Sequence, residues 1–441
     1  MKKKLFFLAI ALFAAVTTQA QTNLMKYVNK TYELPDKYFD FYTSGKSDSI
    51  YSHLSSTVKQ VLTADNLRQQ FAMLDQVLGK PVETGMWKQE EQEGYKIYSR
   101  DLTFAHYTAK FTIVLNQEGI IETYMITEQK PITVPKDEND REITIKSDGP
   151  ELPARLSLPK DSKGKLPVVI LVHGSGANDM NETIGANAPF RDLSKGLNEK
   201  GIAVIRYNKR SLVDATSVKD YDSETVNDAV AAVELAAQMH EIDSNRIYVL
   251  GHSLGGQLAP RIAEKCNKIK GIIIWAGNTR KLKTTLYEQI RYLGIAEKDI
   301  ENTANTQLSL LPAGYLDFDN QYSPTETARK LNIPMLVMQG ESDYNVTMED
   351  FNNWKTALKD HKNVIFKSYP KLNHLFFKIN HEGMATSDDT LRPNQHVEEN
   401  VIQDIAKFIN AGKEGRRKME RLKYGKMERW KDGRMEIGSV S

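Results

Sequence analysis

Hydrophobic and polar positions change period twice along this chain. From Asn23 to Asp75 a polar text carries apolar residues at helical intervals (Tyr38, Phe39, Phe41 and Tyr42, then Val58, Val61 and Leu62, then Leu67, Phe71 and Leu74), which predicts two or three amphipathic helices. Alternation then takes over at Tyr95–Ser99, Phe104–Val114 and Ile120–Ile126, with Asn116-Gln117-Glu118-Gly119 as a turn, the pattern of strands joined by a hairpin. Residues 21–128 therefore read as a small α+β domain. Pro131, Pro135 and the charged run 136–141 mark a linker over 129–140.

The second change of period opens a larger domain over 141–411. Glu142–Lys146 and Leu152–Leu158 read as a strand pair, and Leu166–Val172 is a continuous apolar run of the kind buried on both faces of a sheet. Helical stretches at Phe190–Glu199, Thr225–Met239, Leu254–Lys265 and Met348–Lys359 alternate with β-rich runs at Ala203–Tyr207, Arg246–Leu250, Lys270–Trp275, Met335–Met338 and Val364–Tyr369. This strand–helix alternation predicts an α/β doubly wound, mostly parallel sheet whose sites lie at the carboxyl ends of strands. Helical, loop-rich text at 278–324 is longer than an ordinary connection and reads as a lid insertion. A helix around Val397–Ile409 closes the domain.

Both ends differ from the body. Lys2, Lys3 and Lys4, a run of apolar residues from Leu5 to Val16, and Thr17-Thr18-Gln19-Ala20 follow the order of a secretory signal peptide over 1–20. The apolar run is short for a membrane span, so a periplasmic or secreted protein without stable membrane insertion is expected. At the other end Lys418-Met-Glu-Arg-Leu-Lys-Tyr-Gly425 is echoed by Lys426-Met-Glu-Arg-Trp-Lys-Asp-Gly433. The tail 412–441 is a basic eight-residue repeat with too few apolar groups for a core. The net charge of +2, from 59 basic and 57 acidic residues, hides this distribution: without the leader and tail the body carries about six excess acids. A partner with a phosphate backbone is not expected, so no nucleic acid is assigned. The one cysteine, Cys266, excludes an internal disulfide and a cysteine-based metal cluster.

The chemistry concentrates at four places. Gly251-His252-Ser253-Leu254-Gly255 lies between a predicted strand and a predicted helix, where a sharp turn would leave no room for side chains at Gly251 and Gly255 and would lift the Ser253 hydroxyl to a helix amino end. A serine needs a base, and the base needs a group to hold its tautomer. His374 follows the last predicted strand, and Asp343 follows the strand ending near Met338, with Glu341 two residues away as its substitute. His240, His252, His381 and His396 are weaker candidates for the base. A negative oxygen needs fixed donors; His173-Gly174-Ser175-Gly176 follows the buried strand ending at Val172, so one donor is assigned to the N–H of Ser175 or a neighbour and the other to that of Leu254. His173 reads as a hydrogen-bonding residue of that loop.

The order Ser253, Asp343, His374, together with the glycine-flanked elbow and the loop at 173–176, resembles the α/β-hydrolase superfamily over roughly residues 141–410. The resemblance implies serine hydrolysis of an acyl bond. Tyr207-Asn208-Lys209-Arg210-Ser211 resembles the Asp-Lys-Arg-Gly stretch of secreted esterases of this superfamily, with Asn208 and Ser211 as departures. Residues 21–128 look like the small domain of uncharacterised function found ahead of bacterial esterases of this kind. Its compact size and direct fusion to the larger domain suggest that it shapes the mouth of the site or mediates self-association, so a homo-oligomer stays open. No His-Glu-x-x-His, phosphate loop or dinucleotide fingerprint is present, and neither metal nor cofactor is expected. The expected activity is that of a serine carboxylic-ester hydrolase working through an acyl-enzyme on a small-molecule or glycan-borne ester. A serine aminopeptidase using the same residues on amides is the alternative.

Overall fold

The protein is described by a computed structural model covering residues 32–411 apart from 105–106, 132–135, 185–186, 293–294, 296, 310, 387–388, 391 and 393. The leader at 1–20 and the repeat at 412–441 lie outside the described residues. Contacts divide the chain into two compact units between Ile132 and Thr133.

The first unit opens with helices at 32–43, Ser47–Ser52, Ser56–Val61 and Ala64–Leu78. These are more and shorter helices than the periodicity predicts, because Gly45, in a left-handed conformation, and Ser55, whose side chain caps the third helix, break the run. An antiparallel sheet follows: β1 (Glu83–Thr84), β2 (Lys88–Gln92), β3 (Tyr95–Thr103), β4 (Tyr107–Leu115) and β5 (Ile121–Pro131). Its order is β1-β3-β4-β5, with β2 also on β3. Sequence periodicity does not announce β2, since every residue of Lys-Gln-Glu-Glu-Gln is exposed and none is apolar. Phe39, Tyr42, Phe71 and Phe111 interlock in the core with neighbouring ring centroids 5.2–6.0 Å apart.

The second unit is built on an eight-stranded sheet: β6 (Asp140–Ile145), β7 (Leu152–Ser157), β8 (Leu166–Val172), β9 (Ala203–Tyr207), β10 (Ile242–His252), β11 (Ile269–Trp275), β12 (Met335–Gly340) and β13 (Val364–Tyr369). The order across the sheet is β13-β12-β11-β10-β8-β9-β7-β6. β6 and β7 pair antiparallel, β7 meets β9 antiparallel, and the pairs from β9 to β13 are parallel. Alternate residues serve opposite cores: Val168, Ile170 and Val172 face one, and Val169 and Leu171 the other. β11 repeats this with Ile272 and Ile274 against Ile273 and Trp275. Continuous apolar runs were readable as strands for this reason, each fully buried large side chain contributing about 1.5–3 kcal/mol.

Helices Asn227–Gln238 and Leu254–Lys265 pack on the first face. Pro189–Glu199 and the closing helix at 399–411 pack on the second, where Gly196 leaves room for Ile402. A π-helical turn at Asp222–Val226 precedes the helix that was expected from Thr225. The segment between β11 and β12 carries helices Leu282–Tyr292, Glu297–Ser309, Gly314–Gln321 and Pro324–Lys330. Among the described residues no helix is long and apolar enough to cross a membrane.

Arg280 fastens the root of that insertion. Its guanidinium donates to both oxygens of the fully buried Asp350, with the shortest bond at 2.8 Å, and also reaches Glu288 and Glu349. Removing the arginine strands a buried carboxylate. Arg280→Met is therefore expected to cost about 3–5 kcal/mol of unfolding free energy in a denaturant titration, and Arg280→Met/Asp350→Asn distinctly less; equal costs would show that Asp350 does not depend on this partner.

Candidate functional site

Three strand ends supply the candidate residues. β10 runs directly into Ser253, which sits at φ 53°, ψ −113° before the helix Leu254–Lys265. Such a conformation is costly for a residue with a Cβ and persists only where its surroundings over-determine it. Here the flanks do so: a Cβ on Gly251 would lie 2.0 Å from the Gly255 carbonyl oxygen, and one on Gly255 would lie 2.4 Å from that of Val172. Ser253 N–H donates to Trp275 O at 3.0 Å, and its carbonyl accepts from Gln257 N at 2.9 Å. Within 251–260 only Ser253 escapes full burial. The first N–H groups of the following helix have no intrahelical acceptors, which makes this end a local site of positive potential.

Asp343 follows β12 and His374 follows β13. His374 Nδ1 and Asp343 Oδ2 are 2.6 Å apart. Asp343 is 1% exposed, yet its oxygens are satisfied: Oδ1 accepts from the N–H groups of Asn345 and Val346, and Oδ2 also accepts from Gln339 Nε2 at 3.0 Å. A carboxylate so held fixes one ring nitrogen of the imidazole and leaves the other for proton transfer. Glu341, the substitute acid, instead accepts from Ser368 Oγ.

The loop after β8 completes the edge. Gly174 lies so near the elbow that an added Cβ would meet Ser253 Cβ at 3.1 Å and Glu182 Oε1 at 3.2 Å. Ser175 and Gly176 are exposed beside it. Buried His173 donates its Nε2–H to Asp179 O, 3.0 Å away, and packs on the rings of Phe190 and Tyr207. Burial, with the nearby Lys209 charge, pushes its pKa down to about 4, so it is neutral.

Several polar groups here carried no signal in the sequence. Glu182 Oε1 accepts from Gly174 N–H at 2.6 Å, while its Oε2 lies 3.0 Å from His252 Nδ1 as an ion pair without the alignment of a directed hydrogen bond. His252 Nε2 meets the carbonyl of His374 at 3.1 Å. Burial alone would push Glu182 up and His252 down; their mutual attraction outweighs it, holding Glu182 below and His252 above its ordinary value. One buried ion pair thus touches the loop after β8, the elbow and the His374 backbone. The Tyr207–Ser211 stretch is sewn to the same loop. Asn208 Oδ1 accepts from Met180 N–H at 2.9 Å, and Ser211 has no left-handed backbone that would demand glycine.

Residues 215–391 match the prolyl oligopeptidase family. Esterase EstD of Thermotoga maritima is 32% identical over 392 residues, which span 83% of this chain and 92% of that protein. The uncharacterized peptidase YtmA of Bacillus subtilis is 24% identical over 160 residues, 36% of this chain and 59% of that one. Among solved structures, Est1E of Butyrivibrio proteoclasticus aligns over 61% of this chain and 97% of its own at 19% identity with a TM-score of 0.41. An esterase of Pyrococcus furiosus aligns over 62% and 91% at 15% identity and a TM-score of 0.45. With the sheet order, the elbow after β10 and a relative matched over nearly its whole length, the chain belongs to the α/β-hydrolase superfamily and is a serine hydrolase of the esterase kind.

Proposed function

We propose that this protein hydrolyses carboxylic esters through Ser253, His374 and Asp343 by way of an acyl-enzyme. The observation that carries the reading is the 2.6 Å bond between His374 and a buried, fully satisfied Asp343, on the sheet edge that also presents the strained Ser253. Ser253 Oγ attacks the ester carbonyl as His374 takes its proton. The carbonyl oxygen, now negative, is received by the N–H groups of Leu254 and Ser175. His374 returns the proton to the leaving alcohol, and water repeats the sequence to free the acid. The wholly buried Asp343 orients the imidazole and stabilises its charged form.

Amide hydrolysis is the second reading. The match of residues 215–391 to a peptidase family favours it, whereas the relative matched over nearly its full length favours esters. Residues 1–20 support export to a periplasm or the medium, and the insertion over 278–324 is the element we assign to acyl selection.

Ser253→Ala is expected to lower kcat on an activated short-chain ester by at least about 10⁴-fold, and Asp343→Asn, which keeps the Oδ1 acceptor, by about 10⁴-fold. Turnover by Ser253→Ala at the wild-type rate sinks the assignment. Rates on short acyl, long acyl, aromatic acyl and aminoacyl-amide substrates separate the two readings, since turnover of the amide alone would make the protein a peptidase. The Glu182–His252 pair adds a signature in stability. A glutamate held low stabilises the fold above its ordinary range and loses this as pH falls through its folded value; a histidine held high stabilises below its ordinary range and loses this as pH rises through its folded value. The contribution is full between about pH 4.3 and 6.5. Glu182→Gln should therefore lower Tm most inside that window, with the deficit shrinking as pH rises through the folded value of His252, and a deficit equal at every pH would contradict the pairing.

A further inference from the structure

The loop after β8 poses a mechanical problem. Gly174 sits in tight quarters, since a Cβ there would press on Ser253 Cβ at 3.1 Å and on Glu182 Oε1 at 3.2 Å. Glycine is also the residue with the most backbone freedom, and a donor that is to hold an oxyanion must be fixed before the charge develops. The two torsions of Gly174 set the orientation of the planar peptide between Gly174 and Ser175. In a trans peptide the carbonyl oxygen and the N–H lie on opposite edges of one plane, so whatever grips the Gly174 oxygen also aims the Ser175 N–H.

Lys209 grips it. The ammonium, on a side chain only 2% exposed, donates to Gly174 O at 2.8 Å, and Asn178 Nδ2 adds a longer bond at 3.3 Å. Lys209 is in turn held by Glu224 Oε1 at 3.1 Å, from the π-helical turn before the helix Asn227–Gln238. Its own backbone N–H donates to Asn178 O at 3.0 Å, so the lysine is tied to the loop it acts on at both ends. On the other side of Gly174, the preceding peptide is held through its N–H by Glu182. The freedom of the glycine is thus removed by two buried charges of opposite sign, one on each flanking peptide. A positive charge on the carbonyl also polarises the Gly174–Ser175 peptide and strengthens its N–H as a donor.

We propose that Lys209 is a positioning residue for the oxyanion: its ammonium holds the Gly174 carbonyl and thereby orients and polarises the Ser175 N–H toward the oxygen that becomes negative. The inference rests on the serine-hydrolase reading above, with Ser175 as donor. It makes Lys209 contribute to the transition state and not to substrate binding, since the ground-state carbonyl demands less of the donor.

The test uses an aryl trifluoromethyl ketone. Ser253 Oγ adds to its carbonyl carbon, the C=O π pair becomes a stable oxyanion, and the serine proton passes to His374, so affinity for the ketone reports oxyanion stabilisation without turnover. Lys209→Met leaves Glu224 buried without a counter-charge, so the full-length Lys209→Met/Glu224→Gln variant, which removes both charges, is made beside it. Both are checked for a cooperative melting transition. The expected result is a fall of about tenfold to a hundredfold in kcat and in ketone affinity together, with KM within about threefold of wild type. A folded double variant that keeps its ketone affinity overturns the proposal, whether kcat is unchanged or reduced. Wild-type protein that the ketone fails to inhibit overturns the serine-hydrolase reading, and the inference with it.

Discussion

The site depends on the close approach of Gly251 to Gly255. The strand β10 and the helix Leu254–Lys265 can meet through a single residue only because neither flank has a side chain, and that residue, Ser253, is thereby forced into a left-handed backbone and out of the core. The same approach sets the helix against Val172 at the end of β8, which brings the helix amino end and the loop at 173–176 to one place. The proposed oxyanion donors and the proposed nucleophilic hydroxyl are therefore products of one steric constraint.

Around this point the protein uses buried charge to remove freedom. Asp343 holds an imidazole, Glu182 a peptide N–H and Lys209 a peptide carbonyl, and each is itself held by partners. A buried ion pair is weak evidence for stability, because desolvation cancels much of its attraction. At Glu182–His252 and Lys209–Glu224 the gain lies in geometry: groups that must not move in the reaction are tied to groups that cannot move in the core. His173, neutral and packed between two aromatic rings, is the contrasting case of a histidine that serves the loop alone.

The larger domain was legible because its signals are local. Leu166–Val172 and its counterparts are apolar at successive positions, as strands covered on both faces must be, and Gly251 and Gly255 bracket Ser253 within five residues. Asp343 and His374 could be placed at the same sheet edge because each follows a strand. Glu182, Lys209 and Glu224 could not, since a buried acid or lysine looks like a surface one until distant segments meet; in Tyr207–Ser211 nothing local distinguishes the lysine from a solvent-facing one. In the smaller unit the exposed edge strand β2 has no apolar alternation to read, and Gly45 and Ser55 divide what reads as a continuous helical periodicity into shorter helices.

The central claim is that Ser253 carries the acyl group between two half-reactions. The direct measurement is mass spectrometry of the protein quenched in the first turnovers on an activated ester, followed by peptide mapping. The account predicts an increment equal to one acyl group, confined to the peptide containing Ser253 and present at one equivalent per chain. An acyl group mapped to another residue, or hydrolysis in which no acylated protein forms while product accumulates under single-turnover conditions, would contradict it.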